Sequence, residues 1–113
     1  MDTDGKIKKE IRRLNRIFKD IALDKKELCI ELIKNAAFLS VQMKDLTDRM
    51  NEEGVISEYQ NGENQFGTKE SPLVTVYCKF HKQYSGTFAQ LNDLLPKGKQ
   101  LDPTDGFEAL KNL

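Results

Sequence analysis

The chain has 113 residues, 38% of them hydrophobic and 32% charged, with no tryptophan and a formal net charge of zero. That length holds one domain with short appendages, and so modest a core leaves apolar surface for partners or sister subunits to cover. No apolar run approaches the ~18 residues of a membrane span, and Met1 to Lys9 has no signal-peptide core.

Charge is unevenly spread. Gly5 to Lys19 contains seven basic residues and only Glu10 as an acid, so this segment is +6 within a neutral chain. A first helix is expected from Lys6 to about Asp20, with an apolar stripe at Ile7, Ile11, Leu14, Phe18 and Ile21. Lys8, Arg12, Arg16 and Lys19 fall on another face, with Lys9 and Arg13 beside them. Cations on one helical face neutralise phosphates without sequence preference. The bland alternative is a solvated face. A membrane surface or a calmodulin-like partner ranks lower, because only Phe18 adds a bulky aromatic to the apolar side.

A second helix is expected from Asp24 to Glu53, with Asp24 and Glu27 as a capping box and Gly54 at the left-handed C′ position. Its stripe runs Leu28, Leu32, Asn35, Leu39, Met43, Leu46, Met50. A second stripe, Ile30, Ile33, Ala37 and Val41, must face the first helix or another subunit. Asp45, Asp48, Glu52 and Glu53 read as a solvated face. Over Val55–Glu70 the period changes, and Asn61-Gly62 predicts a small β-hairpin or an ordered loop.

Ser71-Pro72 opens a third helix, which Pro96 and Gly98 stop. Its stripe, Leu73, Tyr77, Phe80, Tyr84, Phe88, Leu91, Leu95, repeats the four-three-four stepping of the second helix. Eleven residues separate Leu28 from Leu39 and Tyr84 from Leu95, a step of about 3.67 residues per turn that suits nearly straight packing. The two helices should bury these stripes against each other, with Asn35 fixing register. The remainder, 97–113, reads as a flexible tail ending in a short linear motif, Phe107, Leu110 and Leu113.

Chemistry is hard to place on this chain. Cys78 and His81 lie three apart, but with Cys29 they fall short of the four ligands usual for structural zinc. Gly62 to Gly67-Thr68-Lys69 lacks the Gly-Lys-Ser/Thr order of a phosphate loop. The single histidine has no identifiable partner. No catalysis and no cofactor are expected. Two lone cysteines inside helical patterns fit a reducing cytoplasm.

The stretch Glu58 to Pro72 (EYQNGENQFGTKESP), followed by Val76-Tyr77, is similar to the central signature of phage terminase small subunits from phages and prophages of Gram-positive bacteria. Asn35-Ala36-Ala37-Phe38 and Leu91-Asn92-Asp93-Leu94-Leu95-Pro96 resemble flanking parts of the same family, so the resemblance covers roughly Asp24 to Pro96. It implies a non-catalytic DNA-packaging subunit that forms a ring in the bacterial cytoplasm and binds double-stranded phage DNA. Such a subunit recruits a large subunit that carries the motor and nuclease. Residues 1–23 would contact DNA through Lys8, Lys9, Arg12, Arg13, Arg16 and Lys19. Residues 24–96, with the loop 55–70, would form the oligomerisation core through Leu28, Leu32, Leu39, Met43, Leu46, Tyr77, Phe80, Tyr84, Phe88 and Leu91. Phe107, Leu110 and Leu113 would dock the large subunit. Many members carry a helix-turn-helix near the N-terminus, where this chain has one basic helix. The expected fold is therefore mainly α, a long antiparallel helical hairpin preceded by a basic amphipathic helix. The competing reading is a helical protein–protein adaptor, such as a dimer, that binds no DNA.

Overall fold

A computed structural model describes residues 3–60 and 66–101, with the side chains of 57–60 and 66 excepted. The chain is mainly helical: α1 (Thr3–Ile17), α2 (Lys26–Glu53) and α3 (Pro72–Leu94), with strands β1 (Ile56–Gln60) and β2 (Phe66–Glu70) between the last two helices. The strands pair antiparallel, Ile56 opposite Glu70 and Gln60 opposite Phe66. The Asn61-Gly62 turn lies outside the described residues.

The ends of the elements show what local sequence controls. α1 starts three residues earlier than the stripe implies, with Asp4 in its first turn, where a carboxylate complements the helix dipole. Its last turn carries on to Phe18, whose N–H donates to the Leu14 carbonyl at 2.9 Å. Asp24 does not cap α2. Leu23–Lys25 forms a single 3-10 turn that leads into the helix, and no side chain caps its first N–H groups. α2 does close at Gly54, whose N–H donates to the Met50 carbonyl at 2.8 Å. Gly54 has φ +84° but an extended ψ of 174°, so it turns the chain straight into β1 without the left-handed hook. Ser71 caps α3 as expected, its Oγ accepting from the Leu73 N–H at 3.2 Å. The Ser71 N–H donates to the Val55 carbonyl at 2.9 Å and closes the base of the ribbon.

α2 and α3 pack antiparallel along the predicted stripes. Leu39, Met43, Leu46, Leu73, Tyr84, Phe88, Leu91 and Leu95 are buried, and Leu32, Tyr77 and Phe80 pack against them half-buried. Asn35 sits at the rim of this seam, and its Nδ2 donates to Thr87 Oγ1 at 3.1 Å, pinning the register. Leu28 departs from the stripe and is 55% exposed. From the Asn35–Thr87 level, equal helical rise brings Leu28 opposite Leu94, where α3 ends. Cys29 and Leu32 take the inward positions there.

The second stripe of α2 is shared. Ile33, Ala36 and Ala37 are buried in one core with Leu14, Phe18 and Ile21, so α1 packs along α2 rather than standing free. The Phe18 and Phe88 rings meet edge to face, with centroids 5.2 Å apart, which ties α1 to α3 as well. Ile30 is 48% and Phe38 46% exposed, leaving the outer part of the stripe uncovered. The first residues of the expected flexible tail are held down. Lys97–Lys99 makes a 3-10 turn, and Asn92 binds both backbone groups of Leu101, accepting at 2.7 Å and donating at 2.9 Å. Phe107, Leu110 and Leu113 lie outside the described residues.

Candidate nucleic-acid interface

The apolar stripe of α1 fixes which way its cations point. With Leu14 and Phe18 fully buried against the hairpin, each worth roughly 1.5–3 kcal/mol, the opposite face of the helix must be solvated. Lys8, Lys9, Arg12, Arg16 and Lys19 are all exposed there. None of them forms an ion pair within the described residues. Five free cations over three turns of one helix make a continuous positive ridge.

Arg13 does not belong to that ridge. Its guanidinium grips Glu10 through two N–H donors, the second 3.0 Å from Oε2, and its side chain is only 24% exposed. The Glu10 hydrogen bond raises the Arg13 pKa above its ordinary value, against the opposing effect of burial. Ser40 Oγ on α2 donates to the same Glu10 Oε2 at 2.6 Å, so Glu10 is a polar rivet between α1 and α2. Tyr84 of α3 reaches this rivet from below. It is fully buried, with Arg13 beside its oxygen as a donor, and among the described residues its hydroxyl proton has no acceptor. Burial first, and then the Glu10 charge, push its pKa up to about 12. Arg13 therefore holds a buried carboxylate and is withdrawn from any phosphate contact.

Beside the rivet, α1 and α2 leave a groove of about 630 Å³. Lys6, Lys9 and Arg16 stand on its α1 side, and Lys44, Asp45 and Asp48 on its α2 side. Glu10, Ser40 and Lys6 are absent from the sequence-based site. The one signal for Glu10 is its being the sole acid among seven cations, placed i, i+3 from Arg13.

The other groups singled out in the sequence stay apart. Cys29 is buried, which raises its pKa, and Cys78 is exposed. Among the described residues no three His, Cys, Asp or Glu side chains gather in one place, and no helix is long and apolar enough to cross a membrane. Gly67, Thr68 and Lys69 are paired in β2. Comparison with protein-family models, with curated proteins and with solved structures found no match.

Proposed function

We propose that this chain is the non-catalytic small subunit of a phage DNA-packaging terminase. It self-assembles in the host cytoplasm, binds duplex DNA and hands it to a large subunit that carries motor and nuclease. The observation that carries the DNA-binding part is the ridge of unpaired cations, Lys8, Lys9, Arg12, Arg16 and Lys19, on a helix whose other face is locked into the core. The packaging part rests on the resemblance of Glu58–Pro72 to the family signature. Arg13 is removed from the DNA-binding set by its hold on Glu10. Docking of the large subunit through Phe107, Leu110 and Leu113 belongs to the same proposal.

A ridge of this kind binds backbone phosphates and releases counterions, with a logarithmic salt slope of about 0.9 per phosphate engaged. Wild-type protein titrated with a labelled duplex should lose affinity with salt at a slope of about −3 to −4. Lys8→Glu/Arg12→Glu should weaken binding at least about tenfold and flatten the slope by about 2. Binding that ignores salt, or a double variant that binds like wild type, would remove DNA from the proposal. The adaptor reading then leads, and one observation favours it: Leu28, Ile30 and Phe38 are about half exposed along one helix.

A further inference from the structure

We propose that the groove between α1 and α2 is a docking site for a helical segment of a partner protein that carries an acidic edge. The two walls of the groove differ in charge. On the α1 side Lys6, Lys9 and Arg16 form no ion pair among the described residues. On the α2 side Lys44 is tied to Asp48 at 2.9 Å, which leaves Asp45 as the free charge. Lys6, Lys9 and Arg16 step by three and seven residues along one side of α1, while Arg13 between them is held by Glu10. A second helix laid along α1 would present acids at i, i+3 and i+10 in the same rhythm.

Three features favour a peptide over a nucleic acid in this groove. A duplex is charged all round and would set phosphates against Asp45 and Asp48, whereas a helix can be acidic on one edge and basic on the other. The groove runs along two packed helices, the seat that a third helix takes in a bundle. Val41 lines it beside the aliphatic stems of Lys6 and Lys9, an apolar footing that a peptide helix can bury.

Lys9 and Arg16 belong to both the groove and the cationic ridge, so an acidic helix in the groove would compete with DNA. Lys6 belongs to the groove alone and Arg12 to the ridge alone, which lets the two surfaces be tested apart on the full chain. The probe is a fluorescein-labelled helical peptide with glutamates at i, i+3 and i+10, lysines on the opposite edge and alanines elsewhere. Its control replaces the glutamates with glutamines. Fluorescence anisotropy should give at least about tenfold tighter binding of the glutamate peptide. Lys6→Glu should weaken that peptide about tenfold and leave duplex binding within about twofold, while Arg12→Glu should do the reverse. Amide resonances of Ser40 to Lys44 should shift on adding the peptide. Equal binding of the two peptides overturns the proposal. So does equal loss in Lys6→Glu and Arg12→Glu, which would mean general attraction to a basic helix. Failure of DNA binding alone leaves the peptide result interpretable, since its variants and readout are separate.

Discussion

Glu10 accepts from two Arg13 donors and from Ser40, while the Tyr84 hydroxyl beside them is buried with no acceptor of its own. An unsatisfied buried hydroxyl costs free energy that a phenyl ring of the same shape does not. Tyr84→Phe should therefore be neutral or stabilising, by up to about 1 kcal/mol at neutral pH. The same group sets a pH dependence. In the folded chain Tyr84 keeps its proton up to about pH 12, while its unfolded value is 10.0. Below pH 10 both states are protonated and the hydroxyl adds no slope. Between these values the unfolded state holds fewer protons, so rising pH draws the equilibrium toward it by about 1.4 kcal/mol per unit. Urea midpoints measured below and within this window should fall more steeply for wild type than for Tyr84→Phe. Equal slopes would show that the folded hydroxyl titrates near its unfolded value, its anion stabilised by Arg13 or by water.

At the scale of elements, Ser71 joins two of them: its side chain caps α3 and its N–H closes the ribbon onto Val55. Ser71→Ala removes the cap alone and should cost about 1 kcal/mol, read as a lower thermal midpoint. A loss below a few tenths would mean that Pro72 sets the helix start unaided. Comparison of these ends with the sequence shows where local signals suffice. Ser71-Pro72 and Gly54 act through one residue's own geometry: Ser71 caps α3 as expected, and Gly54 stops α2 with a positive φ but an extended ψ in place of the left-handed turn. The four-three-four stripes of α2 and α3 were legible for the same reason, since burial follows helical phase wherever a partner helix runs alongside. Leu28 breaks the rule because α3 ends at its level, which is a fact about another element. Asp24 fails as a cap because the chain arriving from α1 takes a 3-10 turn first. The cationic ridge was readable from periodicity, but the withdrawal of Arg13 depends on Ser40 and Tyr84, 27 and 71 residues away in the chain. Spacing along one helix carries no trace of them.

For the whole molecule the unresolved force is the apolar surface that three helices do not cover. α2 is 28 residues long, about 42 Å, and is flanked by α1 on one side and α3 on another. Ile30 and Phe38 remain about half exposed on it, with Leu28 more so. Ile30 and Phe38 lie two turns apart on one side of α2 with the exposed Glu31–Lys34 pair between them, while Leu28 points elsewhere, and the packaging proposal assigns the Ile30–Phe38 side to neighbouring copies. Ile30→Glu/Phe38→Glu places charge on this face without touching the core, whereas Leu39→Asp buries a charge in the α2–α3 seam. Light scattering on a sizing column should give wild type a mass well above twice 13.0 kDa, unchanged on dilution. The outer-face double variant should lose that mass while keeping its helicity and thermal midpoint. Leu39→Asp should lose helicity along with it. A wild-type monomer at every concentration would end the self-assembly proposal, and the same two side chains would then be sought in contact with a different protein. Retention of full mass by the double variant would put the contacts between copies elsewhere, with the open edges of the β1–β2 ribbon the next surface to test.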